Sequence, residues 1–248
     1  MANVNENFYY ITIATKPHPV LDVLIKTVEN KGENIEVLGL ARNMEIGHDM
    51  SNLPIGIGRS LGVKLIEVHN FINRNCLEPN DIVLFSDAYD VYYCGNKSTI
   101  IDRFKKMNKP IIFGAEQCCY PDGSKHILYP HSDNRFRFLN SGLFIGRVYA
   151  LRECMKDYIV SDEIINDQLW WTNKFLERQD IIGLDYTHEL FLNCLWVNEK
   201  ELSIKNDQVI FNNNIDPQLI HGNGPSKLSI IPLLNFATNK FKLPNITF

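Results

Sequence analysis

Several common signatures are missing from this sequence, and each absence narrows its chemistry. No CxxC pair occurs among Cys76, Cys94, Cys118, Cys119, Cys154 and Cys194, and adjacent cysteines suit neither a zinc site nor an ordinary disulfide. The six are read as reduced thiols in a non-secretory setting. There is no GxxxxGKS/T phosphate loop, and Gly56-Ile57-Gly58 lacks the third glycine of a dinucleotide fingerprint. A GxSxG nucleophile elbow is absent as well. No window approaches the roughly 20 apolar residues of a membrane span. Lys and Arg (25) do not exceed Asp and Glu (29), and a net charge of -4 gives nucleic acid no general attraction. Residues 1–7 lack the basic and apolar regions of a signal peptide. The sequons Asn96-Lys97-Ser98 and Asn245-Ile246-Thr247 therefore matter only if the chain enters a secretory lumen.

What remains is the composition of a soluble globule, 45% hydrophobic and 22% charged, with ample material for a core. No repeat, linker or compositional break divides it, so one domain is expected over residues 1–248. Strands are predicted at 8–14, 35–40, 82–86 and 110–115. They alternate with helices opened by His18-Pro19 and ended by Gly32, near 59–73, and capped by Ser98. This alternation predicts a doubly wound, mostly parallel α/β sheet with helices on both faces. The second half is less regular. It offers strands at 138–146, 181–184, 191–197 and 209–211, and helices around 148–158 and 167–176.

In such a sheet, ligands gather at the carboxyl ends of the strands, where Thr15, Asp87 and Glu116 fall. The apolar run Val83-Leu84-Phe85 delivers Asp87 and Asp90, three positions apart, to one strand tip. Two carboxylates there repel each other unless a hard divalent cation joins them; otherwise they are turn or helix caps. His221-Gly222-Asn223-Gly224-Pro225-Ser226-Lys227 combines a metal-ligand type, small residues that let backbone N–H groups approach phosphate, and a cation. It is equally a good turn. Glu116 can orient or deprotonate a hydroxyl, or simply be a solvated carboxylate. Leu139-Asn140-Ser141-Gly142 suits a sugar-binding floor or a β-bulge. Asn166-Asp167-Gln168 begins a helix, so Asp167 either accepts from ligand hydroxyls or faces the helix dipole. Of Trp170 and Trp171, at least one belongs to the core. His131-Ser132-Asp133, with His188 or His221, is the weaker alternative of a non-haem iron triad.

Taken together, these segments resemble the glycosyltransferase domain of the multifunctional procollagen lysyl hydroxylases. The matching pieces run in family order. They are Ile11-Thr12-Ile13-Ala14-Thr15, Phe85-Ser86-Asp87-Ala88-Tyr89-Asp90-Val91, Phe113-Gly114-Ala115-Glu116, residues 138–146, Asn166-Asp167-Gln168-Leu169 and the 221–227 segment. The resemblance implies a GT-A fold and retaining transfer of glucose from UDP-glucose to galactosyl-hydroxylysine of collagen-like chains, with Mn²⁺. It places Asp87, Asp90 and His221 on the metal, and Ile13, Thr15 and Tyr89 around the nucleoside. Lys64, Gly222, Gly224 and Lys227 fall at the donor, with Asp87 also reaching it. Asn140, Asn166, Asp167, Asn223 and Glu116 fall around the transferred sugar and acceptor.

Two departures lie on the acceptor side. The acidic run before Gln168 retains only Asp167 at the closest positions, and Tyr120 stands where the animal enzymes carry tryptophan. The alternatives kept open are a UDP-galactose-dependent hydroxylysine galactosyltransferase and a non-catalytic sugar- or collagen-binding module. No hydroxylase segment is seen, so a free-standing microbial or viral form is expected. It would be soluble, cytoplasmic or associated with a viral factory or virion, with a homodimer as an open option.

Overall fold

The computed structural model describes residues 6–43, 61–159, 165–205, 208–224, 230–244 and 246. β1 (Phe8–Ile13), β3 (Ile82–Asp87) and β5 (Ile111–Glu116) form from the apolar runs, with β2 (Glu36–Leu38), β6 (Phe138–Arg147) and β7 (Ile182–Asp185) beside them. Together they make one sheet in the order β2-β1-β3-β6-β5-β7. Pairs β1–β2, β1–β3 and β5–β7 are parallel, while β6 runs antiparallel to both β3 and β5. That reversed strand brings its first residues to the edge where β1, β3 and β5 end.

Side chains alternate across the sheet, so each strand feeds two apolar layers. Tyr10, Leu84, Ile112 and Ile145 meet α1 (Pro19–Glu29) and α3 (Lys97–Lys106) through Leu24, Val28, Ile100 and Phe104. Val83, Phe85, Phe113 and Phe144 face α2 (Gly62–Ile72), α4 (Val148–Met155) and α5 (Asp167–Glu177). Helices thus cover both faces, as the strand–helix alternation predicts. Phe144 is the hub of the second layer. Its ring is 4.8 Å from Phe85, 5.0 Å from Phe113 and 5.7 Å from Trp171. Trp171 is buried in the core, and Trp170 packs edge-on against it.

A smaller sheet, β4 (Val91–Tyr93), β11 (Leu219–His221) and β8 (Phe191–Asn193) in the order β4-β11-β8, closes the end where ligands are expected. β9 (Leu202–Lys205) and β10 (Gln208–Phe211) form an antiparallel pair, and α6 (Ile231–Phe241) lies after the last strand. Several boundaries differ from the sequence reading. α3 is capped by Asn96, whose Oδ1 accepts from Thr99 N–H at 2.9 Å, while Ser98 Oγ donates to Asn96. α1 stops at Glu29, and Gly32 (φ +71°) follows in the turn. The strand predicted at 35–40 ends at Leu38, because Gly39 (φ +84°) turns into the 3-10 helix Leu40–Arg42. The one at 191–197 ends at Asn193. Positions 59 and 60 of the predicted α2 lie outside the described residues.

Replacing Phe144 with Ala should cost about 3–5 kcal/mol in denaturant unfolding, because the ring is fully enclosed by three others. A cost below about 1 kcal/mol would show that this layer is not packed as described.

Candidate active site

β3 is buried along its length and ends at Asp87, so that carboxylate is delivered into a poorly solvated position. The chain turns through Asp90 into β4. β11 then pairs with β4 so that His221 faces Val91, and Gly222 N–H donates to Asp90 O at 2.8 Å. This register brings His221 Nε2 to 3.3 Å from Asp90 Oδ1 and 3.6 Å from Asp87 Oδ2. One ligand atom from each of Asp87, Asp90 and His221 lies within 4.8 Å of the others.

The parallel pairing of β11 with β8 sets Asn193 beside His221. Asn193 Nδ2 donates to Ala115 O at 3.0 Å, which leaves its Oδ1 as the acceptor for His221 Nδ1–H at 2.8 Å. This assignment of the tautomer leaves the Nε2 lone pair aimed at the carboxylates, as a metal-ligating histidine requires. Two glycines make the arrangement possible. A Cβ at Gly142 would stand 2.3 Å from His221 Cε1 and 2.9 Å from Asp87 Oδ2, and one at Gly114 would stand 2.6 Å from Asn193 Nδ2. Gly142 lies where the β5–β6 register shifts between Phe113 and Gly114, so the sugar-floor segment is also an irregularity in the strand.

Lys64, near the start of α2, reaches the same point. Its Nζ is 2.7 Å from Asp87 Oδ1 and 3.7 Å from Asp167 Oδ2. Among the described residues Asp87 Oδ1 has no hydrogen bond of good geometry, and the Lys64 ammonium is its ionic partner. Burial pushes the Asp87 carboxyl up, against the opposing pull of Lys64. Burial also disfavours charge on Lys64 and His221. The carboxylates outweigh it: Asp167 and Asp87 raise Lys64, and Asp90 and Asp87 raise His221. Hard carboxylate oxygens, one imidazole nitrogen and a clearing left by a glycine fit a divalent cation such as Mn²⁺ or Mg²⁺.

Deeper in, Glu116 ends β5 and is surrounded by amides. Asn140 Nδ2 donates to its Oε1 at 3.1 Å, Gln168 Nε2 to Oε1 at 2.6 Å, and Asn223 Nδ2 to Oε2 at 2.8 Å. Burial outweighs these donors and pushes the Glu116 carboxyl up to about 7. Asp167 is buried at the first turn of α5 and accepts from Ser141 Oγ at 2.8 Å. Asn166 caps that helix, its Oδ1 accepting from Leu169 N–H at 3.0 Å. All these side chains line one cavity of about 310 Å³, together with Cys118, Tyr120, Leu195, Trp196 and Gly224. A larger cavity of about 530 Å³ lies elsewhere, lined by Arg103, Arg135 and His188. Its arginines are paired within the protein, Arg103 with Asp216 and Arg135 with Glu201. The clustered acids and the His221 Nε2 that faces them point to the first cavity.

The PLOD GT domain model matches this sequence over residues 4–246. The chain belongs to the PLOD GT domain family. As a member it is a glycosyltransferase domain. It is 32% identical over 242 residues to the "Multifunctional procollagen lysine hydroxylase and glycosyltransferase" of Caenorhabditis elegans, covering 93% of this chain and 32% of that protein. It is 30% identical over 239 residues to "Procollagen-lysine,2-oxoglutarate 5-dioxygenase 1" of Gallus gallus, with the same two coverages. The chain therefore spans about a third of the length of these relatives. A solved glycosyltransferase involved in glycosylation of the major capsid of PBCV-1 shares the fold. It has a TM-score of 0.51 and 13% identity, over 93% of this chain and 99% of that one. The architecture is the GT-A-type α/β layer.

Within this PLOD GT domain, the sequence-predicted residues fall into three groups. Asp87, Asp90, His221, Lys64, Glu116, Asn140, Asn166, Asp167, Asn223 and Gly224 converge on the cavity, and Gly222 anchors its rim through Asp90. Ile13, Thr15 and Tyr89 do not line it. Ile13 and Thr15 lie at the end of β1 and Tyr89 in the turn after β3, its OH accepting from Thr15 and Lys16 N–H and donating to Lys16 O. Lys227 lies outside the described residues. The iron alternative does not assemble: His131 and Asp133 are exposed, and His188 packs against Phe136 and Phe211. Among the described residues Asp87, Asp90 and His221 are the one such cluster, and no described helix is long and apolar enough to cross a membrane.

Gly142→Ala should keep the fold by circular dichroism yet weaken Mn²⁺ binding at least about tenfold in calorimetry, because the methyl occupies the space of the imidazole. Mn²⁺ affinity within twofold of wild type would remove Gly142 from the site. A second expectation concerns pH. Glu116 binds its proton more tightly folded than unfolded, so its stabilising contribution is full below about 4.5 and is lost as pH rises through about 7. Glu116→Gln should flatten the stability–pH curve in that window by up to about 3 kcal/mol, measured as wild type minus variant.

Proposed function

We propose that this domain transfers glucose from UDP-glucose to galactosyl-hydroxylysine in collagen-like chains, with Mn²⁺ as its cofactor. The observation that carries the reading is the convergence of Asp87, Asp90 and His221 within 4.8 Å, beside Lys64 and at the mouth of a polar cavity. Membership of the PLOD GT domain family supports the substrate class, since the relatives bear names of collagen-lysine-modifying proteins. A Mn²⁺ held by Asp87, Asp90 and His221 would neutralise the diphosphate and stabilise charge on the departing UDP.

The chain's own side chains do the rest. Lys64, held between the carboxylates of Asp87 and Asp167, would supply positive charge to the phosphates and bind them together with Gly222, Gly224 and Lys227. Ile13, Thr15 and Tyr89 flank the nucleoside. Asn140, Asn166, Asn223 and Glu116 present amide and carboxyl groups to sugar hydroxyls. A carboxyl near pH 7 can accept or return a proton without large cost. The bond from the anomeric carbon to the UDP oxygen breaks, a bond to the acceptor hydroxyl oxygen forms on the same face, and the hydroxyl proton passes to the leaving phosphate. Asp167 as a covalent nucleophile is the rival route. Its carboxylate is already engaged by Ser141 Oγ and faces Lys64, which favours an orienting role.

Asp87→Ala or Asp90→Ala should reduce Mn²⁺-dependent UDP release and transfer by at least about a thousandfold while the protein stays folded. Full activity in either variant would refute the assignment. Presenting UDP-glucose and UDP-galactose separately, with galactosyl-hydroxylysine or bare hydroxylysine peptides, identifies the donor. Efficient galactose transfer to bare hydroxylysine would replace the proposed reaction with its alternative.

A further inference from the structure

Trp196 has no part in the reaction outlined above, yet its setting is unusual for a surface tryptophan. It is 63% exposed and lines the mouth of the cavity that holds Asp87 and Glu116. Its φ is +61°, a left-handed backbone that bulky side chains rarely adopt. It occupies the third position of the turn Cys194-Leu195-Trp196-Val197, closed by Val197 N–H donating to Cys194 O at 2.9 Å. Glycine or asparagine is the usual residue there. Among the described residues, Trp170 and Trp171 pack against neighbouring rings, whereas Trp196 meets none.

The turn is held from several sides. Leu195 N–H donates to Asn223 Oδ1 at 2.9 Å, and Leu195 O accepts from Gln117 Nε2 at 2.9 Å. Cys194 N–H donates to His221 O at 2.8 Å. A strained backbone persists only where its surroundings impose it, and such strain collects at ligand-handling positions. Here it keeps an apolar plate standing at the cavity rim.

Sheet order indicates which substrate that plate meets. β1, with Ile13 and Thr15 at its end, lies on one side of β3; β5, which ends in Glu116 and leads to Gln117, lies on the other side, beyond β6. Leu195, the residue before Trp196 in the turn, is tied to Gln117 and, through Asn223, to Glu116. Trp196 therefore stands on the β5 side, away from the strand end read as the nucleoside site. A hexopyranose has a face of polarised C–H groups, and these pack against the negative face of an indole while the hydroxyls stay free for polar partners.

We propose that Trp196 is the platform on which the acceptor's own hexose ring stacks, selecting a glycosylated hydroxylysine over a bare one. This rests on the glucosyl-transfer reading above. The full chain with Mn²⁺ and UDP-glucose is assayed against a galactosyl-hydroxylysine peptide, and UDP affinity is measured separately by calorimetry. Trp196→Gly suits the left-handed backbone, so its melting temperature should equal or exceed that of wild type. Its KM for the galactosyl peptide should rise on the order of tenfold, with UDP Kd within twofold, and Trp196→Phe should recover most of the loss. An acceptor KM within twofold of wild type in Trp196→Gly, or a matching loss of UDP affinity, overturns the proposal. Failure of the parent reading looks different: the wild-type chain itself would not transfer to the galactosyl peptide, and both proposals would fall together.

Discussion

Asp87 ends a strand buried along its whole length, so its charge must be answered inside the protein. Lys64 answers it at 2.7 Å on one carboxylate oxygen, and His221 Nε2 lies 3.6 Å from the other. The helix that carries Lys64, the small sheet that carries His221 and the opening at Gly142 are all placed by this need.

Amides do the second task. Asn140, Gln168 and Asn223 converge on Glu116, and Asn193 fixes His221 by way of Ala115. These groups carry no net charge, so they orient carboxylate and imidazole without adding to the crowding of like charges. They also link the two halves of the cavity. Asn223 bonds both Glu116 and Leu195 of the rim turn.

Much of this was legible in the sequence, and the reasons for the gaps are physical. Asp87, Asp90 and His221 are visible because apolar runs deliver them to strand ends, where ligands gather in such a sheet. The strands β1, β3 and β5 are visible because burial on both faces demands continuous apolar residues. Asn193 was missed, since its role comes from a parallel pairing with a strand some 28 residues later, and nothing local marks it. Gly142 and Gln168 sat inside segments already singled out. Their jobs, clearing space and gripping Glu116, depend on what faces them across the fold. Ser98 has the residue type of a cap for α3, but the better-placed acceptor, Asn96, lies two residues earlier. The β-strand Val91–Tyr93 is only three residues long and gains its identity from β11 alone.

That pairing has a temporal consequence. Val91 and His221 are joined in the three-stranded sheet although some 130 residues separate them, and Asn193 enters the same sheet from a third distant point. Contacts of such span close slowly and form after the local ones. During synthesis the acidic pair emerges long before its histidine has been made, and the chain must carry it past the ribosome without its nitrogen partner. Lys64, which precedes both carboxylates, is the cation at hand in that interval.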